Sequence, residues 1–149
     1  MLEFNKEGWA NDFAIKLDKS IQDKYSFLDT SPHLGNNIIL LGYGGSLAYG
    51  TNVPTSDIDI RGIAVRSGKD IISSKNFDQV ENHETDTVIY SVEKIFKLLS
   101  NCNPNVIELL GLKPEHYVYI NKYGKEILAN KEIFLSKIAC YSFGGYANA

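Results

Sequence analysis

The residue types best suited to chemistry lie in one stretch, from Gly44-Gly45-Ser46 through Asp57-Ile58-Asp59 to Arg61. Asp57 and Asp59 are two apart where polar and apolar residues alternate. On a strand their carboxylates point to one face, with Cα atoms about 6.6 Å apart. Two like charges so placed repel, and nothing in the local sequence neutralises both. A divalent cation would, since hard oxygen ligands plus a triphosphate are the usual way a protein holds magnesium. In two-metal sites the ions stand about 3.5–4 Å apart and clamp the attacking and leaving oxygens of an in-line displacement. Ahead of the pair, the glycines let the backbone approach another group closely. A helical turn starting at Ser46 would present free amide N–H groups to phosphate, with the Ser46 hydroxyl as a further donor. Arg61 shares the face of Asp57 and Asp59 and suits either a phosphate contact or an ion pair with one aspartate. An Asp-x-Asp alone is common in turns and on exposed strands. Its spacing to Gly-Gly-Ser behind a buried strand gives it weight.

These residues need a scaffold, and the sequence outlines one. Trp9, Phe13, Leu17 and Ile21 recur at helical spacing, which predicts an amphipathic helix from Gly8 to about Tyr25. Asp29 to Asn37 is rich in breakers and predicts a loop. Ile38-Ile39-Leu40-Leu41 is a short apolar run suited to a buried strand, and it empties into the glycine segment. Thr51 to Ser56 reads as loop, Asp57 to Val65 as a half-buried strand, and Arg66 to Asp70 as a turn. A further strand is expected over Asp86-Thr87-Val88-Ile89-Tyr90-Ser91. Val92 to Leu99 reads as a helix with Ile95, Phe96, Leu98 and Leu99 inward. Asn103-Pro104 stops it, and Asn103 or Asn105 caps a second short helix carrying Val106, Leu109 and Leu110. Tyr117, Tyr119 and Tyr123 read as core and rim positions, and more helix follows from about Asn121. The fold class is therefore α/β or α+β with one small sheet.

The run from Gly45-Ser46 through Ser56-Asp57-Ile58-Asp59 resembles the polymerase-β-like nucleotidyltransferases, in the spacing of their minimal members. Arg61-Gly62 and Asn103-Pro104 with Glu108-Leu109-Leu110 resemble the nucleotidyltransferases found beside RNA ligases. The resemblance covers most of the chain from about Asn37. It implies a palm-like, small mixed sheet flanked by helices. It also implies transfer of a nucleoside monophosphate from a nucleoside triphosphate to an acceptor hydroxyl by a two-metal mechanism. Gly45 and Ser46 would contact the triphosphate. Asp57 and Asp59 would hold magnesium, with manganese as an alternative. A third carboxylate is expected on a later strand. Asp86 is the best match, with Glu84 in reserve on the same strand parity. The expected organisation is one domain over 1–149, with an N-terminal helix (1–27), a catalytic core (37–120) and the start of a helical C-terminal region (121–149). Relatives of this kind usually continue into a larger helical part.

Composition narrows the partners. With 149 residues, 44% apolar and 22% charged, the chain is an ordinary globular one. It has no long apolar run and no signal-peptide layout at its start, so the cytoplasm is the expected compartment and no membrane partner is expected. A net charge of −3 speaks against binding an extended duplex, which calls for a basic surface. A nucleoside triphosphate with an RNA end, a small molecule or a protein hydroxyl as acceptor fits better. The alternative is an antitoxin-like or non-catalytic nucleotide-binding interaction module. No motif reads adenine or guanine. Cys102 and Cys140 lack metal-ligand spacing and are expected to be buried free thiols. His33, His83 and His116 are expected at the surface, and Glu108 at a solvated helix position in preference to lining a pocket.

Overall fold

The computed structural model describes residues 24–53, 56 and 58–147. The expected helix from Gly8 falls almost wholly outside them, as does Asp57. The chain turns through 24–26 into α1 (Phe27–Thr30), where a loop was expected, and a 3-10 turn over Gly35–Asn37 leads into β1 (Ile38–Tyr43). Every residue of β1 is buried, as its unbroken apolar run demands for a central strand. After β1 come α2 (Gly45–Tyr49), β2 (Ile60–Ala64), α3 (Gly68–Ile72), β3 (Gln79–Asn82) and β4 (Thr87–Ser91). The second half holds α4 (Val92–Ser100), α5 (Pro104–Leu110), β5 (Tyr117–Ile120), α6 (Lys122–Ala129) and α7 (Ile138–Ala147).

The five strands form one mixed sheet in the order β3-β4-β2-β1-β5. β1 lies antiparallel to both β2 and β5, β3 is antiparallel to β4, and β2 runs parallel to β4. This is the mixed α/β architecture that the polymerase-β-like resemblance implies. Side chains alternate across the sheet, so its inner strands feed two cores. On one face Ile38, Leu41, Ile60, Ala64 and Ile89 pack with Tyr25, Leu28 and Leu34. On the other, Ile39, Leu40 and Ile63 pack against Ile95 and Leu99 of α4 and Val106, Leu109 and Leu110 of α5.

Local signals explain several boundaries. The Ser91 hydroxyl accepts the Lys94 amide at the start of α4, and Asn103 accepts the Asn105 amide ahead of Pro104 at the start of α5. Asn121 caps α6 through the Tyr123 and Gly124 amides. In each case a side-chain oxygen satisfies an N–H that the helix leaves without a partner.

Other expectations need correction. The strand expected from Asp57 starts at Ile60, so Asp59 precedes it. The turn expected over Arg66 to Asp70 is the start of α3, capped by Ser67 accepting the Asp70 amide. Glu84 lies in the turn between β3 and β4, not on a strand, because Asn82 Oδ1 accepts the Glu84 and Thr85 amides and closes the hairpin. Phe96 faces outward from α4, 40% exposed, with its ring 5.7 Å from that of Phe134. Tyr117 and Tyr119 belong to strand β5, which pairs with β1. Cys102 is buried but Cys140 is exposed. His33 is half-buried, stacked on Phe77 and 3.3 Å from Asp70, and His116 is also half-buried.

Candidate active site at the start of the second strand

The site forms where β1 ends and β2 and β4 begin. β1 leaves the sheet at Tyr43, and the Gly44 amide donates to the Asp59 carbonyl at 2.9 Å. That bond fixes the Asp59 backbone against the entry to α2. Gly45 then takes φ +53°, a left-handed conformation that other residues rarely adopt. A Cβ on Gly45 would overlap the Asp59 carboxylate oxygen Oδ2. The glycine is needed twice over, for its backbone angle and for the space the carboxylate fills. Ser46 follows, half-buried, in the first turn of α2.

A second tether acts from the opposite side. The Tyr25 hydroxyl donates to the carbonyl of Ile58, the residue between the two aspartates of the motif. Tyr25 is itself buried in the core beneath β2. Asp59 is therefore held through its own carbonyl and through the one before it.

Asp86 reaches the same end of the sheet by way of the β3–β4 hairpin. Ile60 pairs with Thr87 in the parallel ladder, so Asp59 and Asp86 stand one residue ahead of paired positions. Asp86 adopts φ +41°, a left-handed turn conformation that aspartate tolerates better than most residues. Its neighbours Thr85 and Thr87 are buried and joined hydroxyl to hydroxyl at 2.8 Å. Asp86 itself projects outward, where Arg61 grips it: one guanidinium nitrogen donates to the Asp86 carbonyl and another to Oδ2 at 3.2 Å. Arg61 thus pairs with the later aspartate, and its stem lies against Gly44.

Of the six residues singled out from the sequence, the structure brings Gly45, Ser46, Asp59, Arg61 and Asp86 to one end of the sheet. Asp57 lies outside the described residues. Among the described residues no three His, Cys, Asp or Glu side chains form a group able to hold a metal ion. Asp59 and Asp86 offer the hard oxygen donors that magnesium prefers, and the missing Cβ at Gly45 leaves room for the Asp59 carboxylate. The available donors fit such an ion as part of a set that would include Asp57.

A cleft of about 280 Å³ opens beside these residues, bounded by Gly44, Gly45 and Arg61 on one side and by Asn105 and Glu108 of α5 on the other. Glu108 is half-buried there, not on a solvated face. Nothing in the local sequence sets it apart from an outward glutamate, because the docking of α5 on the sheet decides what it faces. That docking is fixed partly by Tyr117, whose hydroxyl donates to the Leu109 carbonyl at 2.9 Å. Burial pushes the Tyr117 phenol up to about 12.

The chain is 32% identical over 88 residues to an uncharacterised 38.9 kDa protein of the nrdC-mobD intergenic region of Enterobacteria phage T4. The match covers 52% of this chain and 26% of that protein, so the chain spans well under two thirds of its relative's length. No solved structure matches. Residues 15–149 match the RNA repair pathway DNA polymerase beta family. The chain therefore belongs to that family, a group of polymerase-β-like nucleotidyltransferases.

Proposed function

We propose that this protein transfers a nucleoside monophosphate from a nucleoside triphosphate to an acceptor hydroxyl. The observation that carries the reading is the Asp59 carboxylate seated in the space left by Gly45, with Asp86 at the head of the adjoining parallel strand. In this reading Gly45 and Ser46 receive the triphosphate, and Asp57, Asp59 and Asp86 hold magnesium or manganese. The metal supplies charge neutralisation for the triphosphate and the developing pyrophosphate. The acceptor oxygen forms a bond to the α-phosphorus as the bond to the bridging oxygen breaks, and pyrophosphate leaves. The acceptor's proton passes to Asp86, whose carboxylate Arg61 must first yield. Arg61, once released, is close enough to Gly44 to meet a phosphate. The protein's contribution is positioning and charge stabilisation more than covalent chemistry. An RNA end, a small molecule or a protein hydroxyl can serve as acceptor, and the acidic balance disfavours an extended duplex.

A second reading, a nucleotide-binding interaction module of the antitoxin type, draws support from the C-terminal segment. Ile133, Leu135, Ile138 and Tyr141 there are large apolar residues left exposed. No helix among the described residues is long and apolar enough to cross a membrane.

The test is magnesium-dependent binding of each nucleoside triphosphate, followed by transfer of α-labelled phosphate to candidate acceptors. Wild type is expected to bind and transfer, and the Asp57→Asn/Asp59→Asn double variant to lose both while keeping its fold. Folded wild-type protein that binds no triphosphate with magnesium present would overturn the reading. Binding that needs Asp57 and Asp59, with no transfer to any acceptor, would favour the interaction module.

A further inference from the structure

The cleft beside the glycine segment extends past the expected phosphate seat onto α5, and its chemistry there is specific. Asn105 and Glu108 are three residues apart on α5 and share one face of it. Both line the cleft, with Leu109 and Leu112 giving an apolar wall and Tyr43 and Tyr49 an aromatic one. Among the described residues no ion pair or hydrogen bond engages the Glu108 carboxylate or the Asn105 side-chain amide, while the Asn105 backbone N–H donates to Asn103 Oδ1. Arg61, the cation of the cleft, is committed to Asp86. Glu108 is therefore a half-buried carboxylate whose acceptor capacity none of the described residues uses. Withdrawing such a group from water is unfavourable unless donors meet it.

A carboxylate accepts on two parallel oxygens and donates nothing. It matches a ligand edge that carries two adjacent N–H donors. Among the nucleobases guanine has such an edge, in N1–H and the 2-amino group. Adenine and cytosine set one amino group beside a ring-nitrogen acceptor, which a carboxylate repels. Uracil has one N–H between two carbonyls. The Asn105 amide adds a donor suited to the guanine carbonyl O6. A volume of about 280 Å³ sits at the small end of ligand clefts, right for a base and its sugar with the phosphates outside over Gly45.

We propose that this cleft receives the base of the incoming triphosphate and that Glu108, assisted by Asn105, selects guanine. The inference rests on the nucleotidyltransferase reading and names its substrate. Inosine triphosphate, which lacks only the 2-amino group, is the sharpest probe.

The experiment compares magnesium-dependent binding of GTP, inosine triphosphate, ATP, CTP and UTP by wild type, Glu108→Gln and Asp59→Asn. Wild type is expected to prefer GTP over ATP by about tenfold to a hundredfold, with inosine triphosphate between them. Glu108→Gln is expected to close most of the gap between GTP and inosine triphosphate. The ratio of affinities is the readout, because a folding defect lowers all of them alike. Equal binding of all five by wild type overturns the base assignment but leaves the transferase reading intact, provided Asp59→Asn abolishes binding. A GTP preference that survives in Glu108→Gln also overturns it. Failure of wild type to bind any triphosphate overturns both.

Discussion

At the scale of single residues, the site depends on close approach. Gly45 carries a left-handed backbone and leaves its missing side chain's volume to the Asp59 carboxylate. Gly45→Ala is expected to cost about 1–2 kcal/mol in backbone strain alone, and its methyl must displace Asp59. Magnesium-dependent triphosphate binding should fall at least about tenfold, since 1.4 kcal/mol is a factor of ten. The melting temperature should drop by only a few degrees, since each kcal/mol is worth about that much in a domain of this size. Calorimetry beside a binding titration checks the pair of outcomes. Unchanged binding in the alanine variant would show that the carboxylate has no role at that position. Arg61 and Asp86 supply the complementary contact. Their pair is solvent-facing and adds little to stability, below about 1 kcal/mol. Under the proposed transfer reaction, its role would be to keep Asp86 oriented until a ligand competes for it.

At the scale of elements, β2 is the strand on which the arrangement turns, because it joins β1 on one side and β4 on the other. Gly62 lies at its middle, where a Cβ would stand 2.7 Å from the Leu40 carbonyl oxygen and 2.9 Å from Ile89 Cδ1. Backbone cannot give way there as a flexible side chain can. Gly62→Ala is expected to destabilise the fold by about 3 kcal/mol, the upper end of ordinary overpacking. Urea unfolding followed by circular dichroism measures it, and a loss below about 1 kcal/mol would show that the three strands separate more easily than the close contacts imply. The Arg61-Gly62 pair thus has two separate reasons: the arginine reaches Asp86 while the glycine lets the strands close. Helix α5 shows the same economy, with Asn103 and Pro104 starting it and Glu108 facing the cleft.

At the scale of the whole molecule, one buried carboxylate ties two distant segments together. Asp70 of α3 accepts from the Ser67 hydroxyl at 2.8 Å and lies 3.3 Å from His33 Nδ1, whose ring stacks on Phe77. The Ser67 hydrogen bond holds the Asp70 carboxyl below its ordinary value, burial opposes this, and His33 adds to the lowering. A carboxyl depressed by folding contributes stability above its unfolded pKa, and loses it as pH falls through the folded one. Wild type should therefore show an acid limb of destabilisation at and below the ordinary carboxylate range. Asp70→Asn should be less stable at neutral pH and show a shallower limb. Denaturation midpoints across that range test this, and identical limbs in both proteins would remove Asp70 from the account.

Features that depend on neighbours along the chain are legible before folding is considered. Ile38 to Leu41 is apolar at every position and so specifies a buried strand. Asn103-Pro104 caps a helix within one turn, and the glycines before Ser46 mark a close approach. The motif from Gly45 to Asp59 is likewise local, and so is the family it indicates. The other features arise from packing between elements distant along the chain. β3 and β5 are four residues each, too short for periodicity to announce, and they are strands because β4 and β1 offer them partners. Asp86 stands near Asp59 because parallel pairing sets Ile60 beside Thr87 across a long separation in sequence. Glu108 lines the cleft because α5 docks its buried face on the sheet beside β1. Side-chain pattern fixes which face of an element is buried, but what the opposite face meets is set by packing between elements that the chain brings together only when it folds.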